Sequence, residues 1–485
     1  MLEPRIGKTG DYVTIHGHDF GEEQGESFVS FGGIIPTQTS YAAWNNNLIV
    51  VRIPDFGESC MLTVQCGSRK SNGVLFSTED SMPVLSTTAR GLPVISAIVP
   101  AETHVGKIIE IQGNGFGESR ETSQVYFTWG AETRSGLTSP LPVLEEQGGY
   151  ELWNDRTLQV RVPDGAVSGL VQVVTAKGAS NSALLTISGA PGTKKIKDRK
   201  TYSIAYSVDV RVAQSTLPNF LFLWLPLPAN SSTQLNKDLL ERNIEPFIEN
   251  YRGTALYQFI DVPSGFSRKV SVSYLVDVFG IETEVQAHKV SAAQEPAIEK
   301  ALPAAPVLNS SDAARIEAEA HAITGNETNP YTKARLIYTK LLSEPSQGAY
   351  NDVMRFCALS RAAKLSAIPV AGVLVAKNRQ TLPHTWAEFW LDGFGWVPVD
   401  ITLGKGTAPS GFMLPGNYAE YYFGSLDNNR LSFSHGETQL APLDGAGRTL
   451  SRPQEYALQN IWEESSGGIT AYSSHWSEIT ITGIY

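Results

Sequence analysis

The stretch Ile15-His16-Gly17-His18-Asp19-Phe20-Gly21 returns later in the chain as Ile111-Gln112-Gly113-Asn114-Gly115-Phe116-Gly117. Likewise Trp44-Asn45 through Arg52-Ile53-Pro54-Asp55 returns as Trp153-Asn154 through Arg161-Val162-Pro163-Asp164. Anchors repeated in the same order oblige both stretches to share one architecture. Each is dense in alternating apolar residues broken by Gly, Asn and Asp, so the pair reads as two small β-sandwiches in tandem. The second copy carries an insertion, placed in the loop from Thr138 to Gly149. It opens with Pro93-Val94-Ile95-Ser96-Ala97-Ile98-Val99-Pro100, whereas the first starts at Met1-Leu2-Glu3-Pro4, with Pro4 matching Pro100. The first copy therefore reads as clipped, with an expected upstream extension that supplies its first strand and an export signal.

These two stretches, 1–80 and 93–190, resemble IPT/TIG immunoglobulin-like domains, in which a strand ends Ile-x-Gly-x-x-Phe-Gly. His16 and His18 are spaced to share a strand face and suggest a metal pair. Their counterparts are Gln112 and Asn114, so they read as polar turn positions, and no metal or other cofactor is expected.

Alternation resumes in Tyr202 to Val210 and in Val270 to Val276, which predicts a third β-sandwich over 198–290. The basic run Lys194-Lys195-Ile196-Lys197-Asp198-Arg199-Lys200 before it reads as a solvated linker. A second linker, rich in Ala, Pro and Ser, runs from Ser291 to Ser311. An α+β unit over 311–485 follows, with a helix at Pro330 to Tyr338 and a terminal strand from Trp476 to Ile484.

The chemistry concentrates between Pro383 and Thr402. His384 to Leu391 reads as a strand, Asp392-Gly393-Phe394-Gly395 as a turn and Trp396 to Asp400 as the returning strand. Pairing centred near Asp392 sets His384 opposite Asp400 on one face. An imidazole oriented by a carboxylate is two thirds of a nucleophile-base-orienter triad.

The run His384-Thr385-Trp386-Ala387-Glu388-Phe389, then Gly393-Phe394-Gly395 and Trp396-Val397-Pro398-Val399-Asp400-Ile401-Thr402, resembles the transglutaminase-like core, a papain-type cysteine fold. It departs from that family's pattern mainly at Thr385 and Ile401. Phe356-Cys357-Ala358-Leu359-Ser360-Arg361-Ala362-Ala363 with Ile368-Pro369 resembles the family's helix, and Trp224-Leu225-Pro226-Leu227-Pro228 a segment of the β-domain that precedes such cores. Tyr422 to Arg430 resembles a segment that follows the family Asp and is expected to close the sheet behind the catalytic face.

The resemblance implies a cysteine heading that helix. Counting back without gaps places the nucleophile position on Ala349, and sliding by one places it on Tyr350, so neither register recovers a thiol. Cys357 lies about 12 Å further along the helix in an apolar run and reads as packing. Two explanations stay open: a cysteine replaced by alanine to give an inactive form of an acyl-transfer or peptidase enzyme, or a natural pseudoenzyme. In the first, a cysteine at 349 attacks, His384 moves the proton and Asp400 holds the ring; Tyr350 and Trp386 would line the substrate cleft. In the second, the chain is a surface or periplasmic protein that binds peptide or glycan.

A formal charge of -11 argues against nucleic acid and anionic membrane surfaces, and with it against the DNA-binding use of IPT/TIG modules. No apolar run reaches the length of a membrane span. Cys60 and Cys66, six residues apart on one expected strand, lie about 20 Å from each other and cannot bridge there. The resemblance implies a peptide, a protein or cell-wall material as partner, and with the expected upstream signal the expected location is extracellular or periplasmic in a bacterium.

Overall fold

The computed structural model describes residues 2–4, 6–56, 59–78, 91–131, 140–292, 310–444, 447–452 and 455–485. The second linker and the start of the insertion, residues 138 and 139, fall largely outside these residues.

Both front repeats are two-sheet sandwiches with matching strand order. In the first, Leu2–Glu3, Tyr12–His16, Leu48–Arg52 and Tyr41–Asn45 form one sheet, facing Ile6–Gly7, Val74–Thr78, Ser59–Cys66 and Phe28–Phe31. In the second, Val94–Val99, Ile108–Asn114, Thr157–Arg161 and Tyr150–Trp153 form the corresponding sheet. The repeated anchors have one local cause. The Trp44 and Trp153 indoles donate to the carbonyls of Phe20 and Phe116, at 3.0 and 3.3 Å. Asn45 and Asn154 accept the backbone N–H groups of the turn that follows them. Gly21 and Gly117 turn the chain at φ near +90°, where a side chain would be strained.

The middle sandwich is built on two long antiparallel strands, Gly192–Ser215 and Ser267–Val285. Two readings are corrected here. The basic run is not a linker: it opens the first of these strands, and the half-buried Lys194 forms an ion pair with Asp164 at 2.5 Å. The C-terminal strands do not extend the α+β unit either. Ile469–Trp476 and Thr480–Ile484 both pair with Gly192–Ser215, and Glu463–Ser465 pairs with Phe220–Pro226 in the opposing sheet. Apolar residues such as Trp462, Trp476 and Ile481 thereby fill the middle sandwich.

The α+β unit is a four-stranded antiparallel sheet in the order Gly395–Val399, Thr381–Leu391, Ala367–Val375, Arg430–His435. Helices Pro330–Leu342 and Ala349–Ala362 pack on the face formed by Ala387, Phe389, Leu391, Val397 and Val399. Burial of each large apolar side chain there contributes about 1.5–3 kcal/mol. Asn329 starts the first of these helices by accepting the N–H of Thr332, with Pro330 in its first turn. Among the described residues, no helix is long and apolar enough to cross a membrane.

Candidate active site

The hairpin pairs Ala387 with Val399 and Trp390 with Trp396. That register differs by two residues from the sequence expectation, because the turn is the three-residue Asp392-Gly393-Phe394, with Gly393 at φ +75°. A shift of two leaves every side chain on its expected face. Asp400 lies just past the ladder, and His384 Nε2 still meets Asp400 Oδ2 at 2.8 Å, with both side chains buried.

Asp400 is doubly placed. Its Oδ1 accepts the N–H of Leu403, capping the short helix Ile401–Gly404, while Oδ2 accepts from His384 and from Arg430 Nη1 at 3.0 Å. Arg430 Nη2 donates to Asp427 Oδ2 at 2.9 Å. Burial pushes the Asp400 carboxyl up, but the neighbouring His384 charge and hydrogen bond, the Arg430 charge and the Leu403 N–H outweigh it and hold the group below the usual aspartate range. Asp427 is likewise held low, against burial, by Arg430 and the Asn429 N–H. With Asp400 ionised, the proton of a neutral imidazole sits on Nε2, which leaves Nδ1 as its acceptor.

Trp386 is 3% exposed, with its ring parallel to His384 and the Arg430 guanidinium 5.1 Å from its centroid. It packs beside these two groups and lines a small inner cavity with Glu388, Arg430 and His435. In the sequence Arg430 is only the end of a segment that resembles the family. Its role depends on a strand that returns from far along the chain, and no local pattern signals it. The Glu388–His435 pair, at 2.7 Å, depends on the same returning strand and has no local signal either.

Helix Ala349–Ala362 begins at the expected nucleophile position, after Gly348 at φ +94°. A Cβ at Gly348 would meet nothing within 4 Å, so the space before the helix tip is open. Ala349 and Tyr350 are both half-buried. The tip is tied to the Asp400 segment through Asp352, which accepts from Thr402 Oγ1 at 3.1 Å and pairs with Lys405 at 3.0 Å. Cys357 is buried in the helix layer, where desolvation pushes its thiol up to about 12. Among the described residues, no group of three or more His, Cys, Asp or Glu side chains gathers that could hold a metal.

The transglutaminase-like superfamily model matches residues 347–401, and the IPT/TIG domain model matches residues 93–134. The chain therefore contains a transglutaminase-like core and an IPT/TIG domain within a multidomain, mostly β fold. No curated protein matches it. Similar solved structures include a provisionally named cysteine protease from Cytophaga hutchinsonii, 12% identical, covering 60% of this chain and 92% of that one at a TM-score of 0.36. SGBP-B from a xyloglucan utilization locus of Bacteroides uniformis is also 12% identical and covers 56% of this chain and 95% of its own, at a TM-score of 0.16. The surface glycan-binding protein PbSGBP-B of Prevotella bryantii is 8% identical, covering 57% and 87%, at a TM-score of 0.16. Scores this low carry no functional argument.

Proposed function

We propose that this chain is a non-catalytic transglutaminase-like protein, exported to the periplasm or cell surface, that binds a peptide or glycan. One observation carries the reading. The residue that heads helix Ala349–Ala362, where the family resemblance expects a cysteine, is alanine, whose methyl group cannot form an acyl intermediate, although the His384–Asp400 pair is present. Cys357 offers no replacement, because desolvation keeps it protonated inside the core. Cys60 and Cys66 belong to the first sandwich, where burial pushes both thiols up, Cys60 to about 11.

The intact His384–Asp400 hydrogen bond supports a second reading, in which a cysteine at 349 makes the same fold an acyl-transfer enzyme or peptidase. Ala349→Cys separates the two. Under the binding reading, the wild-type chain retains saturable ligand binding, and the variant shows neither rapid thiol alkylation near neutral pH nor ammonia release from a glutamine peptide. Turnover by the variant would favour the second reading. Export is tested by fractionating the source cells with an antibody to the chain; recovery in the cytoplasm would remove that part.

A further inference from the structure

The two faces of the core sheet are covered differently. Strand alternation sends Ala387, Phe389 and Leu391 to the helices and His384 and Trp386 to the opposite face, across from Gly372 and Val370. The middle sandwich roofs part of that face through Val278, Phe279 and Ile281, around the small cavity at Trp386. The His384 end has another cover. His384 is the group a ligand has to meet there, yet it is 5% exposed, and Asp400 behind it is 0% exposed.

Residues 406–416 supply the cover. They join the short helix Ile401–Gly404 to a second short helix, Tyr418–Tyr421. At one end, Leu403 lies just past the outer strand Gly395–Val399. In the middle, Gly411 reaches the far end of strand Ala367–Val375: its carbonyl accepts the Lys377 N–H at 3.4 Å, and a Cβ on it would stand 3.6 Å from that of Ala376. Strand Thr381–Leu391 runs between those two strands, so a segment that bridges them crosses it near His384. The crossing is on the His384 face, because Ala408, Phe412 and Leu414 pack, partly buried, on the cluster of Leu374, Trp386 and Leu403.

The cover is lightly held. Over residues 407–416 the backbone makes two hydrogen bonds to the rest of the described protein, Thr407 N–H to the Thr402 carbonyl at 3.2 Å and Lys377 N–H to Gly411, and no side chain there makes a hydrogen bond or ion pair among the described residues. The flanks are fixed instead: Lys405 pairs with Asp352 at 3.0 Å, and the Ala419 carbonyl accepts from Tyr338 Oη at 2.8 Å. Each end carries a glycine, Gly406 at φ +78° and Gly416, where an added Cβ would meet nothing within 4 Å. Met413 at the crest is 63% exposed. A stretch with few polar ties, glycine at both ends and fixed flanks opens locally at less cost than unfolding the unit beneath it.

We propose that residues 406–416 are a lid over the His384–Asp400 pair, closed in this structure, which lifts on Gly406 and Gly416 to admit a ligand to the imidazole. The proposal rests on the reading above only in taking this pair as the place a ligand reaches. The test labels the full chain with diethyl pyrocarbonate near neutral pH and follows each histidine by peptide mass spectrometry. In the wild type, His384 is labelled far more slowly than the exposed His475. Phe412→Ala with Leu414→Ala removes the apolar contacts of the lid and speeds His384 labelling at least about tenfold, while His435, which lines the inner cavity instead, keeps its rate. Gly416→Ala, for which there is room, narrows the open ensemble and slows His384 labelling about two- to fivefold. Three results overturn the lid: wild-type His384 labelled as fast as His475; a double variant with an unchanged His384 rate; and a joint rise at His384 and His435 with no slowing in Gly416→Ala. The probe reads access without any ligand, so each of these leaves the binding reading standing, whereas turnover by Ala349→Cys removes that reading and leaves the lid.

Discussion

The two faces of the four-stranded core sheet are built on opposite principles. Toward the helices, Ala387, Phe389, Val397 and Val399 are fully buried and make only apolar contacts, so the energy of that face resides in close packing. Toward the sandwiches, His384, Asp400 and Arg430 are also buried, with Asp427 half-buried beside them, but they are held by a chain of charge-assisted hydrogen bonds. The difference separates stability from chemistry: one face keeps the strands together, and the other keeps charged groups at fixed positions at the cost of desolvating them.

The contrast is exposed most strongly by Phe389→Ala. Phe389 packs between Tyr331 and Phe423, and its loss should cost about 3–5 kcal/mol, read by chemical denaturation. A cost below about 1 kcal/mol would mean that the helix face is not the stabilising one. Asp400→Ala leaves Arg430 with Asp427 as its remaining carboxylate and should cost about 3 kcal/mol. Acid sharpens the same point. Asp400 and Asp427 have folded values held below the unfolded one, so the stability they contribute is present above about pH 4 and is lost as pH falls through the folded values. Asp427→Asn should therefore lose less stability than the wild type between pH 4 and pH 2, and an unchanged acid limb would break the account. Glu388→Gln keeps a hydrogen-bond acceptor for His435 and should cost only about 1 kcal/mol, measurable as a small shift in thermal midpoint.

What the sequence reveals follows the range of the interaction. The repeat anchors act within a few tens of residues, through Trp44 to Phe20 and Asn45 to its own turn, and both sandwiches could be read from them. The His384–Asp400 pair was legible because a hairpin is local, and even a two-residue error in register preserves the face. Arg430 was not legible, since it reaches Asp400 only through a strand that pairs with Ala367–Val375. Lys194 looked like linker because its partners, Asp164 and the Trp396 carbonyl, belong to other units. The last strand was visible as alternation from Trp476 to Ile484, but alternation does not name the sheet that receives it, and Thr480–Ile484 pairs with Gly192–Ser215.

The most direct test of a histidine-aspartate pair without its thiol is ammonia release from a glutamine peptide by the wild-type chain, followed together with its intact mass. The account predicts release at the rate of buffer alone and an unchanged mass. Release above that rate with an acyl adduct on the chain would contradict it.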